Sequence, residues 1–528
     1  MSTEIRYVTT PLYYVNARPH LGHAYTTILA DVVSRYYRQR GAQVTFLTGT
    51  DEHGEKIAQI AARQERSPQS LADEVSADFR STWEQMNISF DRFYRTTSPS
   101  HVAAVQHALT ILKEKGEIEF REYEGNYCVG CERFLTETEL TPDGKCPDHL
   151  VAPEPRKEGN YFFLMSRYQK RLLDHFESNP TTIRPEQYRS EMLAFLRNEQ
   201  LGDLCISRPK TRLTWGIELP FDSNFVTYVW VDALLNYLAA TGWPGQGVGG
   251  SERFDEALWS QARHLIGKDI VKTHAIYWTA LLMALDVKPP VGLEVNGYWL
   301  VGGTKMSKSL GNVVRPLEVE EKFGRETLRF YLLREMSYGQ DSTFTWENFV
   351  TATNAYLANG IGNLTSRVLT LAQKNLTPGA VSPALESLLT EADLRLLALR
   401  ESTRLVFEQG FVELKYQNSL KAWSELVTSC DLYINEQKPW ALAKDPMQAD
   451  RLKIVLSVCM RVIESLAALI APVLPEASAK IAQALGTTGL SLDAVLVRSA
   501  LADAPMIAEV PRLFPRAMLP VEAPDEKA

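Results

Sequence analysis

The sequence contains no hydrophobic run long enough to cross a membrane. Its most apolar stretch, residues 465–474, is short, contains Pro472 and is followed by Pro475. At the N-terminus, Glu4 and Arg6 flank an alternating apolar pattern, which argues against a signal peptide. We therefore expect a protein with no membrane-spanning segment and no membrane partner.

Cysteine is also scarce, and the chain has no excess of positive charge. Only 6 of the 528 residues are cysteine, and three of the six lie at metal-ligand spacing, which favours a reducing cytoplasm over a disulfide framework. The net charge of −8 gives no sign of a nucleic-acid partner. It does not exclude one, because a basic groove can lie on an acidic protein.

The pattern of the first 116 residues is that of an α/β fold. Apolar and polar residues alternate over residues 5–10, and residues 21–39 have helical spacing that ends before Gly41. A second strand at 44–48 is followed by helices at 55–65 and 100–115. This alternation predicts a Rossmann-type, doubly wound parallel sheet whose ligands lie beyond the carboxyl ends of the strands.

A chain of 528 residues is too long for one core and suggests about three domains. Short strand-like pieces and a Pro-rich stretch interrupt the α/β pattern near residue 117, and it resumes near 225 with a strand at 225–231 and a helix at 232–240. From about residue 351 the pattern is helical, and the apolar stripe between Leu452 and Ile470 indicates core. The predicted boundaries are 1–116 for the first half of the catalytic domain, 117–224 for a connective insertion, 225–295 for the second half, 296–350 for a loop and stem-contact region, 351–485 for an all-α helical bundle and 486–528 for a C-terminal segment.

Two short strings carry the chemistry. His20-Leu21-Gly22-His23 stands where a strand and loop give way to a helix, a place suited to binding phosphate. Lys305-Met306-Ser307-Lys308-Ser309 offers two ammonium groups on a Ser-containing loop. Either string alone is weak, since histidines are usually structural and Lys and Ser are common on surfaces. Together they point to chemistry on ATP, with donors on both sides of the reacting phosphorus.

Four further residues have the spacing of a zinc site. Two pairs of candidate ligands, each separated by two residues, supply three thiolates and one imidazole: Cys128 with Cys131, and Cys146 with His149. Such a set is a closed tetrahedron with no open position, which favours one structural Zn²⁺ ion over a catalytic one. The alternative is four unconnected residues.

The combination of the two strings resembles the HIGH-type and KMSKS signatures of the class I aminoacyl-tRNA synthetases. Small-molecule nucleotidyltransferases share the first signature. Further segments narrow the likeness to the methionyl-tRNA synthetase family, from about residue 5 to about residue 485. Those segments are residues 11–16, 48–54, 228–233, 267–270, 274–278 and 296–298.

The resemblance implies a ligase that activates L-methionine with ATP to methionyl-adenylate and pyrophosphate, then transfers methionine to the 3′ end of initiator and elongator tRNA(Met). It implies His20, His23, Lys305 and Lys308 as the catalytic residues. The ATP-binding residues would be His20, Gly22, His23, Gly267, Asp269, Lys305, Ser307 and Lys308, with Mg²⁺ accompanying ATP. In this family the fourth ligand of the zinc site is often cysteine, so His149 is a departure.

Methionine has a flexible apolar side chain whose polarizable sulfur packs well against aromatic rings. The resemblance assigns its binding to Leu12, Tyr14, Asp51, Trp230, Ala233, Tyr237, His274 and Trp278, with Asp51 pairing with the substrate ammonium. Without the resemblance, Trp230 and Trp278 could equally be core aromatics. Residues 51–53 could also be a metal site or a helix cap.

The helical region carries candidate anticodon-binding residues, which by resemblance are Asn363, Arg367, Pro439 and Trp440. Single-stranded bases are read by stacking on aromatic rings and by hydrogen bonds to their exposed edges. A tryptophan in a helical bundle is otherwise usually packing. Nothing after residue 500 has the strand pattern of the oligonucleotide-binding domain through which some family members dimerise, so we expect a monomer.

Two other classes stay open. One is a different class I ligase or a small-molecule adenylyl or cytidylyl transferase. The other is a non-catalytic, zinc-bearing tRNA-binding protein, which would be expected to have lost the signature lysines or histidines. Both signatures are intact in this chain.

Overall fold

The computed structural model describes residues 4–131, 133–246, 253–305, 313–487, 501–502 and 506–519. Among the helices in these ranges, none has the length and apolar character that a membrane crossing requires.

The strands are short except for β3, β5 and β7. They are β1 Ile5–Thr9, β2 Tyr13–Tyr14, β3 Gln43–Asp51, β4 Arg92–Arg95, β5 Ile118–Cys128, β6 Arg133–Leu135, β7 Glu154–Phe163, β8 Ile183–Arg184, β9 Leu204–Cys205, β10 Ser207–Pro209, β11 Glu218–Leu219, β12 Asp222–Thr227, β13 Ala262–Gly267, β14 Gly292–Asn296, β15 Trp299–Val301, β16 Thr304–Lys305 and β17 Ser342–Phe344.

The longest helices belong to the C-terminal region. The α-helices are α1 Leu21–Gln39, α2 Glu55–Arg63, α3 Pro68–Gln85, α4 Pro99–Glu114, α5 Gln169–Ser178, α6 Glu186–Asn198, α7 Val229–Ala239, α8 Glu256–Trp259, α9 Thr279–Ala284, α10 Pro316–Phe323, α11 Arg325–Arg334, α12 Trp346–Ala352, α13 Asn363–Asn375, α14 Glu391–Val412, α15 Tyr416–Gln437, α16 Pro439–Leu442, α17 Ala449–Ile470 and α18 Pro475–Ala484. Two π-helical segments, Thr273–Trp278 and Thr353–Gly362, precede α9 and α13.

The chain forms two compact units. The first contains Met1–Pro19 and Gln43–Asn296, and the second contains His20–Ala42 and Gly297–Ala528. Helix α1 therefore belongs with the C-terminal half of the chain although it lies near the N-terminus. The domain boundaries drawn from the sequence stay a prediction.

A parallel sheet forms the centre of the first unit. Its strand order is β2-β3-β1-β13-β14-β8, and β4 also pairs with β3. All of these pairings are parallel, with Tyr7 of β1 opposite Thr45 on one side and Ala262 on the other. Buried residues such as Tyr7 and Leu47 join the sheet to the core of this unit. The predicted parallel α/β architecture is confirmed.

The region predicted as an insertion contains two antiparallel sheets together with helices α5 and α6. One sheet has the order β6-β5-β7-β9, and a smaller one has the order β10-β12-β11. The same region supplies β8, which pairs with β14 at the edge of the parallel sheet. The strand expected at 225–231 ends at Thr227, and α7 begins at Val229. A short apolar run carries no periodicity that could place this boundary from sequence.

The second unit is mainly helical. It contains helix α1, helices α10 to α18 and a small sheet of order β16-β15-β17. Helix α17 is buried at 18 of its 22 positions, which include the whole predicted apolar stripe. The predicted helical C-terminal region is confirmed.

Candidate functional site

The first signature string caps helix α1. His20 has an extended backbone at the N-cap position, and its Nδ1 accepts the Gly22 N–H at 3.0 Å. The His20 N–H donates to His23 Nδ1 at 3.4 Å, and the two imidazole rings stack with centroids 3.7 Å apart. Both rings are half-buried. Two imidazoles thus lie side by side at the positive end of a helix dipole, where an anion is stabilised.

The segment after the second signature string lies against the first. The Leu21 N–H, at the start of α1, donates to the Val314 carbonyl at 2.9 Å. Strand β16 ends at Lys305, the first residue of the second string. Ser307 and Lys308 lie outside the described residues. What the structure shows is that Val314, five residues after the end of the second string, is hydrogen-bonded to the start of the helix at which His20 and His23 lie.

Buried aromatic and imidazole groups form the polar wall of the predicted methionine pocket. The His274 Nδ1 faces the Ile270 carbonyl at 2.8 Å, and its Nε2 lies 2.9 Å from the Tyr237 hydroxyl. Burial lowers the pKa of His274 to about 4, so the ring is neutral at pH 7. Because a carbonyl can only accept, the proton is on Nδ1, and Tyr237 donates its hydroxyl to Nε2.

A second neutral histidine, which the sequence reasoning missed, supports this wall. The Trp278 indole donates to His264 Nε2 at 3.2 Å, and His264 Nδ1 lies 2.8 Å from the Thr9 hydroxyl. The His264 ring stacks on Tyr237 with centroids 4.1 Å apart. Burial and the neighbouring His274 hold the pKa of His264 well below its usual range. Its place in β13, three residues before Gly267, was the available signal.

The outer part of the predicted pocket is less buried. Tyr14 and Trp230 are half-buried and meet edge to face with centroids 6.4 Å apart. Tyr14 pairs with Asp51 where β2 joins β3, and the Asp51 side chain is 2% exposed. Leu12 is half-buried and Ala233 is buried, the latter on α7 between Trp230 and Tyr237. The structure thus brings Asp51, Tyr14 and Trp230 together, and separately Tyr237, His274 and Trp278.

The predicted ATP-binding turn follows β13. Gly267 lies opposite Asn296 at the carboxyl ends of neighbouring parallel strands. A Cβ atom at Gly267 would stand 2.6 Å from Asp269 Oδ1, so a larger residue would displace that carboxylate from its present position. Asp269 is exposed. This is the edge of a parallel sheet at which ligands bind.

Glu52 and His53 are held by ion pairs within the protein itself. Glu52 binds Arg95 through two bonds of 2.6 and 2.9 Å. His53 Nδ1 lies 2.6 Å from Asp232 Oδ2, and His101 Nε2 lies 2.6 Å from Asp232 Oδ1. Although burial alone would raise it, the charge of His53 and the bonds from both histidines lower the pKa of Asp232 to about 2. The sequence reasoning assigned no role to Asp232 or His101, since nothing local relates residues so far apart.

The four predicted zinc ligands come together. Their ligand atoms all lie within 4.8 Å of one another, and they are the one group in the described ranges with geometry for a metal ion. The Cys131 and Cys146 sulfurs are 3.4 Å apart, and His149 Nδ1 is 3.3 to 3.8 Å from the three sulfurs. Tetrahedral ligands around Zn²⁺ are about 3.5–3.8 Å apart, so the residues present fit the ion.

The predicted anticodon residues lie on α13 and α16. The Arg367 guanidinium donates to Asp431 and, at 2.7 Å, to Asn435 Oδ1. It also lies 5.9 Å from the centre of the Trp440 ring, which is 41% exposed. Asn363 is exposed one helical turn before Arg367, and Pro439 is buried at the first position of α16. An exposed indole beside a fixed guanidinium is a surface on which a base can stack.

Comparisons with a family model, with relatives and with solved structures agree on one family. A family model described as tRNA synthetases class I (M) matches residues 6–152 and 149–369. The methionine–tRNA ligase of Clostridium tetani is 39% identical over 527 residues, covering 100% of this chain and 80% of that protein. The methionine–tRNA ligase of Streptomyces coelicolor is 40% identical over 499 residues, covering 91% of this chain and 89% of the relative.

A solved structure matches the fold over nearly the whole chain. The Mycobacterium tuberculosis methionyl-tRNA synthetase in complex with methionyl-adenylate superposes with a TM-score of 0.90 at 37% identity. The match covers 97% of this chain and 100% of that one. The free form of the same M. tuberculosis protein superposes with a TM-score of 0.83 at 34% identity.

Proposed function

The chain belongs to the class I methionyl-tRNA synthetase family, and from that premise we propose which of its residues carry each step of the reaction. It is an ATP-dependent ligase that binds methionine, ATP and tRNA, forms methionyl-adenylate and charges tRNA with methionine. The observation that carries the proposal is the pair of stacked imidazoles at the start of α1, where the Leu21 N–H between them donates to the Val314 carbonyl of the segment that follows the second signature string.

In the activation step, a methionine carboxylate oxygen attacks the α-phosphorus of ATP, and the bond from that phosphorus to the bridging oxygen breaks. The electron pair leaves with pyrophosphate. His20 and His23 stabilise the charge that grows on the α-phosphate, and Lys305, Ser307 and Lys308 close on the departing pyrophosphate. No covalent enzyme intermediate forms, so catalysis consists of positioning and electrostatic stabilisation.

Methionine binds between the two groups of pocket residues described above. Asp51 pairs with its ammonium, while Leu12, Tyr14, Trp230, Ala233, Tyr237, His274 and Trp278 surround its side chain. A thioether cannot solvate a charged group. Since His274 is neutral and fully buried, it presents no such charge to the methionine sulfur.

ATP binds in this proposal through backbone and phosphate contacts. Gly22 lets a phosphate approach the first turn of α1, and Gly267 and Asp269 hold the ribose at the end of β13. Mg²⁺ comes with ATP and neutralises phosphate charge. These roles assign every residue of the two signature strings except Leu21, Met306 and Ser309.

Zn²⁺ is the metal that we propose for Cys128, Cys131, Cys146 and His149. Three thiolates and one imidazole are a soft donor set that suits this ion, and all four tetrahedral positions are filled by the protein. The ion would fold the loop between β5 and β7 and take no part in the reaction.

Recognition of tRNA(Met), initiator and elongator alike, rests in this proposal on Asn363, Arg367, Pro439 and Trp440. An anticodon base stacks on the Trp440 ring, and Asn363 and Arg367 donate to base edges. We further propose that the enzyme is a monomer. We also propose that it acts in the cytoplasm, because three of its cysteines have the spacing of metal ligands, which fits a reducing compartment.

The test is ATP–pyrophosphate exchange with each standard amino acid. Exchange should depend on methionine, and Lys308→Ala should reduce its rate about a hundredfold or more while methionine binding barely changes, because a transition-state donor is lost. The exposed Lys322→Ala on α10 is the matched control and should exchange like the wild type. Exchange driven by another amino acid would contradict the substrate, and normal exchange by Lys308→Ala would remove the role of that lysine.

A further inference from the structure

A buried charged cluster in the first unit is not used in the proposed reaction. It consists of Asp232, His53 and His101, which we call the Asp232 cluster. The Asp232 and His101 side chains are 0% exposed and His53 is 6% exposed. Each oxygen of the Asp232 carboxylate accepts from one imidazole at 2.6 Å.

The Asp232 cluster joins the two sides of the proposed methionine pocket. His53 follows β3 directly, two residues after Asp51, the proposed partner of the substrate ammonium. Asp232 lies in the first turn of α7, which carries Trp230, Ala233 and Tyr237. The bond between His53 and Asp232 therefore connects the loop that follows Asp51 with the helix that carries three of the proposed pocket residues.

Two further contacts fix the loop side of this connection. The Trp215 indole N–H donates to the Glu52 carbonyl at 2.5 Å, and the Trp215 ring lies 5.1 Å from that of His53. On the third element, α4, His101 binds the other Asp232 oxygen, so the carboxylate cannot turn away from His53. A buried carboxylate with both oxygens bonded holds its neighbours in one geometry, because any other arrangement leaves a charge unpaired.

We propose that Asp232, through His53, is a positioning residue for methionine: it sets the distance between the Asp51 carboxylate and the pocket wall of α7, and so the affinity for the amino acid. This inference rests on the proposed methionine site. ATP contacts neither arm of the cluster in that proposal, so its binding should be insensitive to changes at Asp232.

The experiment measures the KM of methionine and of ATP in the exchange reaction, together with methionine affinity from tryptophan fluorescence. Asp232→Asn keeps the size but places an amide donor against an imidazole N–H. His53→Leu removes the donor, whereas His53→Asn returns an N–H near the position of Nδ1. The control is Glu294→Gln, another buried carboxylate of the same unit, which bonds Arg184 and Arg263 on the parallel sheet.

Asp232→Asn and His53→Leu should raise the KM and the dissociation constant of methionine tenfold or more and leave the KM of ATP within twofold. His53→Asn should recover most of the loss, and Glu294→Gln should keep the wild-type values even if its melting temperature falls. Equal losses for methionine and ATP, or normal methionine affinity in folded Asp232→Asn, would overturn the inference. If wild-type protein shows no methionine-dependent exchange, the proposed function fails instead, and the two failures are thereby distinguished.

Discussion

The buried histidines of the first unit have pKa values that are shifted in opposite directions. His264 and His274 lie among aromatic rings, and the loss of solvation lowers the pKa of both. His53 is also buried, but the charge of Asp232 outweighs that loss and raises its pKa. At neutral pH the histidine of the wall near the proposed methionine sulfur is therefore uncharged, while the buried charge of His53 is paired with that of Asp232.

The lowered pKa of His274 predicts a loss of stability in acid. Between pH 6.5 and about 4 the unfolded chain binds a proton at this residue and the folded protein does not, so folding becomes less favourable as the pH falls. The shift corresponds to about 3 kcal/mol. His274→Gln should remove this term: the stability of the wild type relative to the variant should decline by this order between pH 6.5 and 4, as measured by urea unfolding.

The other titrating groups do not obscure this test. The raised pKa of His53 changes stability only above about pH 6.5 and the lowered pKa of Asp232 only below about pH 4, and both groups are present in the wild type and in the variant. They cancel in the difference. A difference in stability that stays constant with pH would show that His274 is not held neutral.

Single functional residues could be predicted from the sequence only where they lie in a recognisable motif. The pocket and signature residues were nominated because they stand in recognisable segments. His264 was missed, as was the Asp232 cluster, because its members stand at 53, 101 and 232 and no local pattern relates them. Their pairing arises when β3, α4 and α7 meet, which is a property of packing.

At the scale of elements, the loop after β5 can be tested through a glycine. A Cβ atom at Gly130 would stand 2.4 Å from the His149 ring, so Gly130→Ala must displace either the loop or the ligand. We expect the variant to lose zinc about tenfold faster to a chelator than the wild type, as followed by a zinc-sensitive dye. Gly202→Ala, where a Cβ atom meets nothing within 4 Å, should release zinc at the wild-type rate. Equal rates for the two variants would contradict the proposed ligand set.

The start of α16 makes a separate prediction. Lys438 has a left-handed backbone, Pro439 begins the helix and Trp440 is left exposed beside Arg367. Stacking a base on an aromatic ring contributes about 1–3 kcal/mol, so Trp440→Ala should raise the KM for tRNA about tenfold in aminoacylation. Methionine-dependent exchange without tRNA should not change. Leu405→Ala, another exposed apolar side chain of the helical region, serves as the control. An unaltered KM for tRNA would remove Trp440 from the anticodon site.

Elements with clear periodicity were predicted well. Helix α1 has the bounds expected from its apolar spacing, and β1, β3, α2 and α4 lie within a few residues of their predicted positions. The boundary between β12 and α7 was misplaced because both sides of Tyr228 are apolar, which suits a strand and a buried helix equally.

At the scale of the whole molecule, α1 belongs to the second unit, and sequence could not have placed it there. The contacts responsible lie far apart along the chain. Tyr36 stacks on Phe411 with centroids 4.3 Å apart, and Gln39 donates to the Ala468 carbonyl at 2.8 Å. Since α1 begins at the signature histidines, these contacts attach the proposed catalytic groups to the helical bundle that carries the proposed anticodon site.

The ion pair between Asp31 and Arg329 is the buried part of this attachment. Both side chains are fully buried and lie 2.6 Å apart, and Arg329 also donates to the carbonyls of Pro472 and Val473 after α17. Arg329→Met leaves the Asp31 charge with Arg35 alone, which should cost about 3–5 kcal/mol. Hydrogen exchange in peptides from residues 21–39 should accelerate, because α1 loses its link to the bundle.

Adding Asp31→Leu to Arg329→Met should restore part of the protection, since the double variant no longer buries a carboxylate that has lost its buried partner. Arg334→Met is the control, because this arginine lies on the same helix but bonds Tyr356 and Glu335 instead of α1. Its peptides from residues 21–39 should exchange as in the wild type. If Arg329→Met leaves that exchange unchanged, the other contacts of α1 hold it in the second unit, and the ion pair does not anchor the helix that begins at His20.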